Sequence, residues 1–325
     1  MTEAESGSGA ALPHFDVRLT PPDIGRWLTG NTGVPGFTTL TGAVSGPHAM
    51  ILAVTHGNEI SGAIVLDRLL RADFRPARGR LTLGFVNLAA FARFDPRQPT
   101  VSRFVDEDLN RVWDPALLDG PRRSCELDRA REIRPLIESA DLVLDLHSML
   151  WPSDPLILCG PSAGGRQLAR CVGTPGLEVS DRGHANGQRI IDHPRFSAPG
   201  ATASAVLLEA GQHWDDATLS VAHDAVAGLL RQLGMANEDV ALPAPRVYAA
   251  QRHAVVTHAV IATTAQFTFV QPFRGGTVIA ARDTLIAMDG ATEIRTPHND
   301  CLLVMPSLRP SRGHTAVRLA RFLPV

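Results

Sequence analysis

Continuous apolar runs alternate with amphipathic segments over roughly the first two thirds of the chain. The apolar runs predict buried strands at residues 49–55, 81–87, 141–146, 156–159 and 203–208. Helical periodicity follows them and predicts helices at residues 60–70, 125–139, 162–171 and 214–233. Buried strands that alternate with helices are typical of an α/β fold with a mostly parallel sheet flanked by helices.

The pattern changes near residues 237–246, which include Pro243 and Pro245. Short alternating runs punctuated by glycine follow, at residues 255–262, 266–270, 277–280, 284–287, 301–305 and 315–320. They predict a small all-β domain. We therefore divide the chain into a flexible N-terminal tail at residues 1–12, an α/β domain at 13–240 and a β-rich domain at 241–325.

Candidate metal ligands lie where two predicted strands end. His56 and Glu59 follow the first strand in the run Thr-His-Gly-Asn-Glu, and His147 follows the strand at residues 141–146. The carboxyl ends of parallel strands meet at one edge of a sheet, where ligands bind. Two imidazoles and a carboxylate suit zinc, and catalytic zinc takes three protein ligands. We predict one zinc ion per chain, with Gly57 allowing the turn and leaving space beside the ion.

Two further carboxylates follow the same logic. Asp145 precedes His147 by two residues, so both side chains face one side of the strand and Asp145 is placed to orient the imidazole. Glu209 follows the apolar strand at residues 203–208, where an unpaired carboxylate is costly. A glutamate beside activated water accepts its proton and returns it to the leaving amine, so Glu209 is the predicted general acid/base. A structural ion pair with a buried arginine remains the alternative for Glu209.

The acidic and basic run at residues 103–111 is predicted to be a loop over the sheet. Arg103, Asn110 and Arg111 are candidates for binding a carboxylate end of the substrate, because arginine forms bidentate pairs with carboxylates. We expect Asp106 and Asp108 to cap and brace the loop. An ordinary salt bridge remains the alternative role for Arg111.

Several of these motifs together resemble the aspartoacylase and succinylglutamate desuccinylase family, which is related to zinc carboxypeptidases. The resemblance covers about residues 45–215 and depends on four features: His-Gly-Asn-Glu at 56–59, Asp-Leu-Asn-Arg at 108–111, Asp-Leu-His at 145–147, and Glu209. It implies a carboxypeptidase-like α/β fold with a β-rich C-terminal domain, and hydrolysis of a small N-acyl amino acid. It also implies that His56, Glu59 and His147 bind zinc, that Glu209 is the general acid/base, and that Arg103, Asn110 and Arg111 bind substrate.

The family pattern includes further positions that this sequence matches less closely. A substrate-binding arginine is expected shortly before Glu209, and Arg189 and Arg195 are the two candidates. Ser148 stands where the family often has asparagine after the third metal ligand. The only tyrosine, Tyr248, lies near the domain junction, so we expect the family's substrate-binding tyrosine to be missing.

Composition excludes several other classes of protein. The formal charge of the 325-residue chain is −2, which gives no electrostatic basis for binding nucleic acid or an anionic membrane. All 31 basic residues are arginine, so Schiff-base chemistry, a pyridoxal phosphate anchor and a Walker A lysine are excluded. The four cysteines form no C-x-x-C pair, and no basic leader or apolar run of ~18–20 residues is present. We expect a cytoplasmic protein.

Three functions stay open at this point. The first is a zinc-dependent deacylase of small N-acyl amino acids. The second is a zinc carboxypeptidase or amidase that acts on peptides or larger conjugates, which depends on whether the C-terminal module closes the pocket. The third is a non-catalytic metal-binding protein, against which Glu209 speaks. A homodimer is compatible with this chain length.

Overall fold

The computed structural model of the chain describes residues 13–184, 186–236, 242 and 251–324. The strands are β1 (Phe37–Thr41), β2 (Val44–Ala53), β3 (Arg78–Phe85), β4 (Leu142–Met149), β5 (Leu156–Leu158), β6 (Leu177–Ser180), β7 (Ser204–Gln212), β8 (Arg252–Ile261), β9 (Phe267–Phe269), β10 (Val278–Ile279), β11 (Leu285–Asp289), β12 (Thr292–Arg295), β13 (Cys301–Val304) and β14 (Thr315–Phe322). The predicted tail at residues 1–12, the boundary at residues 240 and 241, and Tyr248 lie outside the described residues.

The described α-helices are α1 (Ile60–Arg71), α2 (Leu88–Phe91), α3 (Pro115–Leu118), α4 (Cys125–Ser139), α5 (Ala163–Val172), α6 (Pro194–Ser197) and α7 (Asp216–Gln232). Four of the described helices, α1, α4, α5 and α7, match the predicted amphipathic segments, and three helices of four residues were not predicted. Side-chain caps fix the starts of the longer ones: Ser124 accepts a hydrogen bond from Leu127 N at α4, and Asp215 accepts one from Ala217 N at α7. In the described part of the chain, no helix has the length and apolar character needed to cross a bilayer.

Eleven of the described strands form one sheet in the order β1-β3-β2-β4-β7-β5-β6-β8-β14-β13-β10. Strands β3, β2, β4 and β7 pair in parallel, and so do β5 with β6 and β6 with β8. The β1–β3 and β5–β7 pairs are antiparallel. The predicted α/β class with a mostly parallel central sheet is confirmed.

The C-terminal region is β-rich, as predicted, but its longest strands extend the main sheet. Strand β8 pairs with β6, and β14, β13 and β10 follow in antiparallel order. A separate antiparallel sheet contains β12, β11 and β9. The main sheet continues into the C-terminal region through β6, a strand of four residues that the pattern of apolar residues does not predict. The division of the chain at residue 240 stays a prediction.

Both faces of the sheet are buried, which explains the continuous apolar runs. Ile51, Ala53 and Leu208 pack with α1 and α7 on one face. Met50 and Leu207 pack with α4 on the other face. Alternation along β4 and β7 therefore directs Asp145, His147 and Glu209 toward the α4 face, near the carboxyl ends of their strands.

Candidate metal and substrate site

The three predicted metal ligands meet at the carboxyl edge of the sheet. His56 and Glu59 lie in the turn between β2 and α1, and His147 lies near the end of β4. Their side chains are buried, and one ligand atom from each lies within 4.8 Å of the other two. The structure thus brings together residues that are separated by up to 91 positions in the sequence.

Both imidazoles turn the same nitrogen toward the shared carboxylate. His56 Nδ1 is 2.8 Å from Glu59 Oε1, and His147 Nδ1 is 3.0 Å from Glu59 Oε2. The ring centroids are 4.9 Å apart. Burial opposes the charge on Glu59, but the charges of His56 and His147 hold its pKa well below the usual value. The Nδ1 atoms and this carboxylate therefore form a ready set of metal donors.

The outer nitrogens of both rings contact carboxylates. His147 Nε2 is 2.7 Å from Asp145 Oδ2, and Thr55 Oγ1 donates to Asp145 Oδ1 at 2.9 Å. His56 Nε2 is 2.8 Å from Asp108 Oδ1, which also accepts a hydrogen bond from Asn110 N. Burial opposes protonation of His147, yet Asp145 and then Glu59 raise its pKa well above the usual value. Carboxylates in this position fix the ring orientation of metal-binding histidines.

Glu209 lies beside the ligand set with an unused oxygen. It is paired in register with His147 on the neighbouring strand and is 6% exposed. Strand β7 continues three residues beyond it, to Gln212. Burial, followed by repulsion from Glu59, raises the pKa of Glu209 to about 8. Among the described residues, no arginine forms an ion pair with Glu209 and its Oε2 has no hydrogen-bond partner, which favours the chemical role over the structural one.

The loop predicted to bind substrate lies over the same edge. Arg103 donates to Glu59 Oε1 at 3.1 Å and to Asp108 Oδ2 at 3.3 Å, with its side chain 35% exposed. Asn110 Nδ2 is 3.4 Å from His147 Nε2, and Asn110 Oδ1 accepts from Ile190 N. Arg111 donates to Asn110 O and lies 4.0 Å from Asp108. All three candidates line the cavity beside the ligands.

The two arginine candidates before Glu209 lie in different places. Arg189 lines the cavity, but its guanidinium is buried between Asp181 and Asp192 and donates hydrogen bonds to both. Arg195 donates to Ala140 O and lies 3.8 Å from Asp141, next to the start of β4. Because His147 is near the opposite end of that strand, the structure does not bring Arg195 to the ligand set.

Other lining residues carried no sequence motif. A cavity of about 190 Å³ is bounded by Trp151 after β4, by His184 and His213 in loops, by Met305 directly after β13, and by Arg318 in β14. Arg318 lies in a strand whose sequence carries no motif, so nothing in the neighbouring residues identifies it as part of the cavity wall. The neighbour of the third ligand, Ser148, donates its backbone N–H to Glu59 and contacts His213 through its hydroxyl.

The family profile of the succinylglutamate desuccinylase/aspartoacylase catalytic domain matches residues 45–233, which is more than half of the chain. The chain belongs to this family. The recognised motifs at 56–59, 108–111 and 145–147 all lie within the match, and the family's two named activities are deacylations. A deacylase-type enzyme is therefore supported, and the predicted family is confirmed.

Solved structures share the fold over most of the chain. Succinylglutamate desuccinylase from Vibrio cholerae matches at 17% identity over 89% of this chain and 86% of that one, with a TM-score of 0.67. Succinylglutamate desuccinylase/aspartoacylase from Rhodobacter sphaeroides matches at 18% identity over 89% of each chain, with a TM-score of 0.65. The ectoine utilization protein EutE (DoeB) from Ruegeria pomeroyi, solved with bound product, matches at 17% over 87% and 88%, with a TM-score of 0.60. Comparison with curated proteins gives no match.

Gly57 allows the turn that carries the proposed metal ligands to pack closely against the neighbouring backbone. A Cβ atom there would lie 2.4 Å from Ala90 C and 2.5 Å from Ser102 O, and Gly57 N donates to Arg103 O at 3.1 Å. The absence of a side chain at Gly57 thus leaves room for the neighbouring backbone, while the space beside an ion stays a prediction. The positive φ of 52° at Val54 adds a strained residue just before the turn.

We expect Gly57→Ala to move the turn and to impair metal binding. Backbone atoms cannot yield as a flexible side chain does, so the substitution should lower the free energy of unfolding by ~1–3 kcal/mol and weaken zinc affinity. Urea denaturation and a competitive zinc titration measure the two effects. Gly313→Ala is the control. Gly313 has a positive φ and open space around its Cβ position, so alanine there should lower the free energy of unfolding through backbone strain alone, without a steric clash. Equal zinc affinity in both variants would contradict the positional role of Gly57.

Proposed function

We propose that this protein is a zinc-dependent amidohydrolase that cleaves the amide bond of a small N-acyl amino acid. One observation carries the proposal. The ligand atoms of His56, Glu59 and His147 gather within 4.8 Å, and the carboxylate of Glu209, with one oxygen unpartnered, lies on the strand position paired with His147. A three-ligand site beside a proton-accepting carboxylate is the arrangement that metal-assisted hydrolysis needs.

The donor chemistry fits zinc. Two neutral imidazoles and a carboxylate form one of the ligand sets of catalytic zinc, and the fourth position stays open to water or substrate. The carboxylates of Asp108 and Asp145 accept the Nε2–H groups, which directs the Nδ1 lone pairs toward Glu59 and the proposed ion. Binding requires His147 to give up a proton, so metal uptake should release protons.

Side chains of the protein carry out the remaining steps of the proposed reaction. Zinc, when bound, would supply a Lewis acid for the amide carbonyl and lower the pKa of water toward ~7. Glu209 accepts the proton of the attacking water at Oε2 and then delivers it to the amine nitrogen that leaves. Arg103 holds Glu59 and Asp108 in place, and Asn110 and Arg111 orient the substrate along the cavity wall.

The shape of the cavity supports a small substrate. At about 190 Å³ it holds a molecule of amino-acid size, and Met305, Pro306 and Ser307 after β13 form part of its wall. The C-terminal strands therefore enclose the site on one side, which speaks against long peptides. Trp151 and Leu158 add apolar surface, so aliphatic and aromatic acyl groups belong in any assay beside succinyl and acetyl. The four cysteines are free thiols, which supports the proposed cytoplasmic setting.

The test is metal analysis followed by a substrate panel. Purified protein should contain about one zinc per chain and should hydrolyse one or more acyl amino acids faster than short peptides. The panel should combine acetyl, succinyl, butyryl and benzoyl groups with acidic, apolar and basic amino acids. Faster cleavage of peptides would support the carboxypeptidase alternative. A zinc-loaded protein that hydrolyses no amide or ester would support the non-catalytic alternative.

A further inference from the structure

Arg318 is a buried cation at the wall of the cavity. It lies in β14, is 8% exposed, and lines the cavity together with Glu209 and His184. Within the part of the chain that the structure describes, its guanidinium forms one ion pair, with Asp181 at 3.9 Å, and donates no hydrogen bond. A guanidinium has five N–H donors, and a buried charge without close partners is costly. Arg318 therefore has donors available for a bound anion.

Asp181 is held by Arg189, and its 3.9 Å separation from Arg318 is too long for a hydrogen bond. Arg189 Nη1 donates to Asp181 Oδ2 at 2.9 Å and Nη2 donates to Oδ1 at 2.6 Å. The rest of the Arg189 guanidinium is bonded to Asp192. Of these two arginines on one wall, Arg189 is thus a structural brace of its loop, and Arg318 is the one with unused capacity.

Arg111 is a second cation that lines the cavity. It donates one hydrogen bond to Asn110 O, and its nearest carboxylate, Asp108, is 4.0 Å away and already contacts His56. Burial lowers the pKa of Arg111 to about 10, and repulsion from neighbouring arginines, among them Arg318, adds to the effect. Positive charge is in excess here, which a bound anion would relieve.

His184 lines the same cavity as these two cations. Burial, and after it the charges of Arg111 and Arg318, lower the pKa of His184 to about 3, so this ring is neutral at physiological pH. Its Nδ1 accepts a hydrogen bond from Asn186 N, which places the ring proton on Nε2. The imidazole thus adds a neutral donor and no competing charge.

We propose that Arg318 binds a carboxylate of the substrate, in addition to the candidate Arg111 of the loop, so that a C-terminal strand contributes to the preference for carboxylates over neutral carboxamides. The planar guanidinium matches a carboxylate bidentately, which makes the pair selective for that group. This inference rests on the proposed function, since it assigns one part of the same substrate. It gives the antiparallel extension of the sheet a direct role in recognition.

The experiment compares Arg318→Gln with the wild type on two matched compounds. One is the best acyl amino acid of the panel, and the other is the same compound with its carboxylate replaced by a neutral carboxamide. We expect Arg318→Gln to raise KM for the carboxylate by about 10- to 100-fold, with a smaller change in kcat, because a charge-assisted hydrogen bond is lost. KM for the carboxamide should change by less than about 2-fold. Arg318→Lys should recover part of the affinity.

Two controls separate recognition from folding. Arg321→Gln removes an exposed arginine three residues further along the same strand and should leave KM unchanged. Thermal melts of zinc-loaded variants should show that Arg318→Gln remains folded. An equal rise of KM for both compounds would show a structural role and overturn the proposal, as would an unchanged KM for the carboxylate.

Failure of the proposed function would appear differently. If the zinc-loaded wild type turns over no compound of the panel, binding of the same acyl amino acids and carboxamides is measured by calorimetry. Binding of an acyl amino acid that Arg318→Gln weakens about 10- to 100-fold, with no effect on the carboxamide, would support the subsite without any catalysis. Equal affinities of the wild type and the variant, or no binding by either, would overturn it.

Discussion

Glu209→Gln should leave zinc bound and lower kcat by about 10²- to 10⁴-fold, the range that general acid–base catalysis contributes. Glutamine keeps the shape of the side chain but cannot accept and return a proton at Oε2. The residue is not a metal ligand in our assignment, and its own oxygen is unpartnered in the described structure, so its replacement breaks no ion pair. Steady-state kinetics and zinc content, measured on one preparation, test both halves of this expectation.

Glu293→Gln is the matched control for this substitution, because Glu293 is exposed on β12 and contacts Arg295. It should retain wild-type kcat and zinc. A Glu209→Gln protein with full activity would exclude the proton-transfer role. Loss of zinc together with activity would instead place Glu209 among the metal-holding groups, and the mechanism would have to be rewritten around another base.

The position of the ligand set could be predicted because it depends on short-range rules. Apolar runs show that β2, β4 and β7 are buried strands, and parallel pairing brings the carboxyl ends of these strands together, although the ends themselves differ from the predicted ones by two to four residues. The two-residue spacing of Asp145 and His147 places both on one face. The contact between Asp108 and His56, at 2.8 Å, could not be derived in this way, because it depends on how a long loop returns over the sheet.

The sequence predicts the substrate-binding residues less well than it predicts the metal ligands and the general acid/base. Arg189 and Arg195 precede Glu209 by 20 and 14 residues, yet the more distant one lines the cavity and the nearer one lies at the far end of β4. Arg318 reaches the cavity only because β6 joins β8 and thereby extends the sheet. A strand of four residues carries little hydrophobic signal, so neither the junction nor the arginine that it positions could be predicted.

His147→Ala should abolish zinc binding at micromolar concentrations and reduce turnover to background. Three ligands hold the proposed ion, and the substitution leaves only His56 and Glu59. These two side chains can hydrogen-bond to each other, since His56 Nδ1 is 2.8 Å from Glu59 Oε1. Even the loss of an outer hydrogen-bond partner weakens metal affinity by about 10- to 100-fold, so removal of a ligand should exceed that range. Zinc content after dialysis and a competitive titration measure the effect.

His258→Ala is the control, since this exposed imidazole on β8 is outside the ligand set. It should bind zinc as the wild type does. Thermal stability gives an independent readout: added zinc should raise the melting temperature of chelator-treated wild type and of His258→Ala, because a ligand that binds only the folded state stabilises it. His147→Ala should show no such rise. Retention of one zinc per chain in His147→Ala would mean that the ion sits elsewhere.

Asp145→Asn provides the graded version of the same experiment. The substitution keeps the size of the side chain but removes the charge that faces His147 Nε2 at 2.7 Å and the acceptor strength toward Thr55. Zinc affinity should fall by about 10- to 100-fold, less than in His147→Ala, while saturating zinc restores most of the turnover. The two variants thereby separate the loss of a metal ligand from the loss of its orientation, because excess zinc restores turnover only when all three ligands are still present. If saturating zinc restored nothing, Asp145 would act in the reaction itself and not through the imidazole.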